Sequence, residues 1–150
     1  MPPPTIWGPP IWVFLHTLAA KINENDYNKL ISELFPLIKR VCSLLPCPEC
    51  SQHASIFLGK IQPKDISTKK DFINTIYLFH NSVNYRTKKP LYNYSNIDVY
   101  KNYNFINVLK NFVRVYNTKG NMSMLNESFR RDFVIKDLKK WLKKNITSFL

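Results

Sequence analysis

Glycine is scarce: the 150 residues contain only 3. A Gly-rich phosphate loop is therefore absent, and no long stretch alternates at the strand period, so nucleotide folds built on a sheet are excluded. Cysteine is equally scarce and odd in number, at 3, which rules out a disulfide framework and leaves room for one working pair and one leftover. No apolar run reaches the roughly 20 residues that a membrane-spanning helix needs. The opening Met1-Pro2-Pro3-Pro4-Thr5 has neither the charged nor the apolar region of a signal peptide. The chain is accordingly expected to be soluble and not secreted. Acidic residues are few, 10 against 22 Lys and Arg, for a net charge of +12.

The charge is uneven. Residues 1–100 hold 11 Lys/Arg and 7 Asp/Glu, or +4, and residues 101–150 hold 11 and 3, or +8. Asn, Lys, Ile and Tyr are all abundant, the bias of an AT-rich genome, so charge alone does not argue for a nucleic-acid partner. Hydrophobic residues make up 45% of the chain, enough for one core.

Helical periodicity dominates. Trp7-Gly8-Pro9-Pro10 reads as a loop opening a helix that carries Ile11, Trp12, Leu15, His16 and Ala19. Asn25 or Asp26 caps a second helix with Leu30, Leu34, Leu37, Ile38 and Val41 on one face. A third runs from the cysteine pair to about Gly59, and Ser67 or Thr68 caps a fourth through Phe72, Ile76, Phe79, His80 and Val83. The turn Thr87-Lys88-Lys89-Pro90 ends it, and a short fifth helix spans about Asn96–Asn104. Beyond it come an amphipathic helix with Phe105, Val108, Leu109, Phe112 and Val113, a break at Lys119-Gly120-Asn121, and a last helix with Val134, Leu138, Trp141, Leu142 and Phe149 on one side. The fold class is all-α: a four-helix bundle with a short fifth helix, followed by a C-terminal helical extension.

The chemistry concentrates at Cys47-Pro48-Glu49-Cys50. Two thiols three residues apart form a reversible disulfide or half of a metal site. Pro48 suits the first position of a helix, and the positive helix N-terminus favours a thiolate. His53, three residues after Cys50, shares its helical face. Cys42, Cys47, Cys50 and His53 also count to four zinc ligands, although zinc sites usually pair two close-spaced couples. Trp12 and His16 are four apart on one helix, and His80 and Asn84 are four apart on another beside Asn81. Singly these read as core residues. Together, polar and aromatic groups facing inward from two helices suggest a planar aromatic ligand, with Lys88 and Lys89 placed for phosphates.

Gly8-x-x-x-Trp12-x-x-Leu15-His16-Thr17-Leu18-Ala19-Ala20, the Cys47–Cys50 pair, and His80-Asn81-x-Val83-Asn84 followed by Lys89-Pro90 together resemble the Erv/ALR family of FAD-dependent sulfhydryl oxidases, closest to its compact viral members. The resemblance covers roughly residues 6–104. It implies an oxidase core over 1–104 whose bundle encloses FAD, and a basic extension over 105–150 of unknown role. It implies that a protein dithiol exchanges with Cys47, that Cys50 faces the flavin, and that the electrons pass through FAD to molecular oxygen, giving hydrogen peroxide. Gly8, Trp12, His16, His53, His80, Asn81, Val83, Asn84, Lys89, Tyr92 and Tyr100 would join Cys50 around the cofactor, and no metal is implied.

Two departures stand out. Tyr94 occupies the place of a cysteine that staples the fifth helix in many members, and no shuttle cysteine pair is present. The electrons are therefore expected from a separate thioredoxin-like or glutaredoxin-like protein. A homodimer through the first two helices is expected, in host cytoplasm or virion, with neither membrane nor nucleic acid as partner. Cys42 is expected to be a buried, inert thiol.

Overall fold

The computed structural model describes residues 4–117 and 125–150. The expected break at Lys119-Gly120-Asn121 lies outside them. Among the described residues every regular element is helical: α1 (Pro4–Lys21), α2 (Tyr27–Ser43), α3 (Pro48–Gly59), α4 (Lys69–Arg86), α5 (Phe105–Tyr116) and α6 (Leu125–Lys144). Short 3-10 segments cover Pro63–Ile66, Tyr94–Asn102 and Ile146–Phe149. The fifth element of the bundle is thus a 3-10 run, begun two residues earlier than the sequence suggests.

One boundary differs more. Trp7-Gly8-Pro9-Pro10 is not a loop, because α1 already starts at Pro4 and takes Pro9 and Pro10 inside it. Gly8 has no Cβ to clash with the following proline ring, and this relieves the usual bar to helix before proline.

Local chemistry sets the other starts. Cys47 is the N-cap of α3, its Sγ accepting the Cys50 N–H at 3.2 Å, with Pro48 at the first turn. Thr68 caps α4 in a reciprocal box with Asp71. Asp26 occupies the N-cap of α2, but its carboxylate accepts from Ser148 Oγ at 2.8 Å rather than from the helix. The end of α4 is a Schellman turn: Lys89 N donates to Asn84 O and Lys88 N to Tyr85 O, with Lys88 at φ 60°.

Helix α1 is the hub. From Pro10 to Lys21 none of its residues is exposed. It packs on α4, on the Tyr94–Asn102 segment and, most extensively, on α5, while α6 lies on α2. Phe14 stacks on Phe112 at 4.1 Å between ring centroids, and Phe105 stacks on Phe149. The last helices therefore join the same core as the first four. They also cover much of α1, while α2 keeps Asn28, Lys29, Ser32, Glu33 and Pro36 exposed.

Candidate functional site

Three helices and the end of a fourth meet at a largely apolar cleft. Helix α3 contributes Cys50 and Ala54, α1 contributes Gly8, Trp12 and Leu15, the end of α2 contributes Cys42, and the segment after it contributes Leu45. Helix α4 contributes Phe79, Val83 and Arg86, spaced one stripe along the helix, and the turn beyond it adds Lys89. Cys47 and Cys50 are joined as a disulfide with their Cα atoms 5.2 Å apart. Of the two, Cys50 lines the cleft and Cys47 does not. Cys42 is buried, and desolvation pushes its thiol up to about 12.

Beside the cleft lies a stack of rings. Trp12 and His80 are parallel, 9° apart, at 4.2 Å. His16 stacks on Tyr100 at 4.6 Å, and His80 on Tyr92 at 5.0 Å. His16 Nε2 and His80 Nδ1 are 2.9 Å apart. Burial, then the neighbouring His80, lowers His16 to about 3, and burial, then Lys89, lowers His80 to about 4. Both rings are therefore neutral near pH 7, one donating and the other accepting. Each ring thus has one nitrogen bonded to the other.

Both asparagines bond to backbone. Asn81 clamps a backbone: its Oδ1 accepts from Tyr92 N at 2.6 Å and its Nδ2 donates to Tyr92 O at 3.1 Å. Asn84 Nδ2 donates to Pro90 O at 3.2 Å. Both amides hold the Pro90–Tyr92 segment against α4, which places the Tyr92 ring in the stack. Any contact with a ligand uses their remaining hydrogen-bonding capacity. His53 is exposed, 3.9 Å from Glu49, and lies outside the cleft lining. Glu49 is also 3.8 Å from Arg86, linking the start of α3 to the end of α4.

Phe79, Arg86, Leu45 and Cys42 were not singled out as site residues. The signal for the first two was available: Phe79, Val83 and Arg86 sit at i, i+4 and i+7, on the stripe beside His80 and Asn84. Nothing local marks Cys42 or Leu45. Among the described residues no three His, Cys, Asp or Glu side chains converge as metal ligands, and the Cys47–Cys50 disulfide leaves neither sulfur as a thiolate ligand.

The cleft thus sets an apolar wall, a ring stack and two cationic side chains against one sulfur of a disulfide. Comparison with known proteins agrees with that chemistry. Residues 9–104 match the model of the Erv1 / Alr family. Protein 347L of Invertebrate iridescent virus 6, provisionally named as a FAD-linked sulfhydryl oxidase, is 34% identical over 94 residues, covering 59% of this chain and 85% of the relative. The FAD-linked sulfhydryl oxidase of African swine fever virus is 33% identical over 104 residues, 69% of this chain and 84% of its own length. The FAD-linked sulfhydryl oxidase ERV1 of Arabidopsis thaliana is 30% identical over 94 residues, 61% of this chain, which spans less than half, 47%, of that relative. No solved structure matches the chain significantly. With the cysteine pair, the ring stack and the asparagine clamps all inside a matched stretch well over half its length, the chain belongs to the Erv1 / Alr family.

Proposed function

We propose that this protein is a FAD-dependent sulfhydryl oxidase that makes disulfides in protein dithiols. The observation that carries the reading is the placement of Cys50, and not Cys47, in the lining of the cleft beside the stacked rings. The residues present fit a flavin dinucleotide. The apolar wall of Leu15, Ala54 and Phe79 suits a planar ring system, Trp12 and His80 offer stacking faces, and Arg86 and Lys89 offer charge for a pyrophosphate. The two neutral histidines keep that region free of a competing positive charge.

Cys47 then exchanges with substrate. A substrate thiolate attacks Cys47 Sγ, the Cys47–Cys50 bond breaks, and Cys50 leaves as a thiolate stabilised by the N-terminus of α3. The second substrate thiol attacks the mixed disulfide, releases Cys47 and leaves oxidised. Bound FAD would take the two electrons of the resulting dithiol and hand them to molecular oxygen, giving hydrogen peroxide. Trp12, His16, His80, Tyr92 and Tyr100 bind and orient, Asn81, Val83 and Asn84 shape and hold the same wall, and Gly8 and Lys89 border it. His53 flanks the site from outside.

The dithiol comes from a thioredoxin-like or glutaredoxin-like protein. Viral relatives support a viral source acting in host cytoplasm or virion, and among the described residues no helix is long and apolar enough to cross a membrane. The protein pairs as a homodimer through its first two helices, where α2 leaves Asn28, Lys29, Ser32, Glu33 and Pro36 exposed. The purified protein should be yellow, with one FAD per chain by absorbance. A folded but flavin-free preparation that cannot be loaded with FAD overturns the reading. Cys50→Ala whose Cys47 is first converted to a mixed disulfide with an aromatic thiol should be attacked there by a substrate protein lacking its second cysteine, releasing the aromatic thiol and holding the substrate on Cys47.

A further inference from the structure

The segment Leu44-Leu45-Pro46 joins α2 to the cysteine pair, and its backbone and that of the last turn of α2 are held from two sides. From α3, Ser51 Oγ donates to Leu45 O at 3.2 Å. From the other side the hold comes from residues beyond the family match. Tyr116, at the end of α5, donates its hydroxyl to Val41 O at 2.8 Å, a wholly buried bond. Arg131, on α6, donates from Nη1 to Leu44 O at 3.3 Å. The exposures of Tyr116 and Arg131 are 0% and 1%. A buried guanidinium is costly to desolvate, and here its Nη1 meets the carbonyl of Leu44, the C-cap residue of α2. The same stretch lines the cleft, through Cys42 in the last turn of α2 and Leu45 in the segment.

We propose that Tyr116 and Arg131 are positioning residues for the Cys47–Cys50 pair: the C-terminal helices pin the strap that sets Cys47 within reach of Cys50 and Cys50 against the cleft. This rests on the oxidase reading for its purpose but not for its measurement. Pinning the strap raises the effective concentration of one thiol at the other, so it favours the closed disulfide over the dithiol. Without the pins the pair should open more readily.

The test is equilibration of the full chain, carrying Cys42→Ser, in glutathione redox buffers with thiol labelling. In that exchange the protein disulfide and two glutathione thiols give the protein dithiol and one glutathione disulfide. The Tyr116→Phe, Arg131→Met double variant should lower the closure constant about tenfold, about 30 mV for a two-electron couple. Tyr116→Phe alone, which loses only a hydroxyl and will fold, should lower it by about threefold, the scale of one hydrogen bond. Arg131→Lys, which keeps a donor for Leu44 O, should stay near the parent value. A closure constant unchanged in Tyr116→Phe and in the double variant, with or without a lower melting temperature, overturns the proposal. Because the readout needs neither FAD nor oxygen, it is independent of whether thiol oxidation is observed: an inactive parent would count against the oxidase reading, and an unmoved constant against the pins.

Discussion

His16 and His80, 64 residues apart, share one hydrogen bond of 2.9 Å, and the bond needs at least one of the two rings neutral to accept it. A doubly protonated pair would set two donors face to face.

This relationship makes stability depend on pH in a definite direction. Both histidines are lowered in the folded state, to about 3 and about 4, from an ordinary 6.5. The unfolded chain therefore binds more protons as pH falls below about 6.5, and the folded state loses stability down through about pH 4. Above about 6.5 the contribution is complete. For His16 the loss approaches about 1.4 kcal/mol per pH unit within that window. Urea titrations across it should show the slope, and His16→Gln should flatten it. A profile level from neutral to acid would refute the assignment.

The two cysteines should separate by spectrum. Cys47→Ala and Cys50→Ala should each abolish thiol oxidation and keep bound FAD. On reduction, Cys47→Ala should show a long-wavelength charge-transfer band, because Cys50 lines the cleft, and Cys50→Ala should show none. The reverse pattern would exchange the two roles.

Cys42 lines the same cleft yet is buried, with its thiol held protonated by desolvation. Cys42→Ser should leave turnover nearly unchanged and cost about 1–3 kcal/mol of stability, the scale of a hydroxyl placed in an apolar site. A large loss of turnover at unchanged stability would make Cys42 part of the electron path.

The C-terminal helices should be needed for the fold. Phe112 is fully buried against Phe14, and Phe112→Ala should cost about 3–5 kcal/mol in chemical denaturation. Truncation after Asn104 uncovers α1 and should yield insoluble protein. A soluble truncated chain with the parent's melting temperature would show that the packing is dispensable.

Lys88 holds φ 60°, where a side chain is strained, at the turn that delivers Lys89 to the cleft. Lys88→Gly should raise stability by about 1 kcal/mol, readable as a higher melting temperature. A fall would mean that the lysine makes a contact worth more than the strain.

Some of this was determined by the sequence alone. The all-α class, the helix starts at Pro48 and Lys69, and the stop after Arg86 follow from neighbours in the chain, because caps, proline geometry and apolar periodicity act over three or four residues. The cysteine pair at a helix N-terminus is legible for the same reason. The early start of α1 was not, since two prolines signal a boundary that Gly8 removes. Tertiary structure alone decided which faces meet. A stripe of apolar residues shows that α5 must be covered, not that α1 covers it. Likewise a motif places Asn81 and Asn84 near a site, but only the return of Pro90–Tyr92 to α4 turns their amides onto backbone. Tyr116 and Arg131 lie 75 and 87 residues from the carbonyls they hold, a distance over which no local pattern carries information.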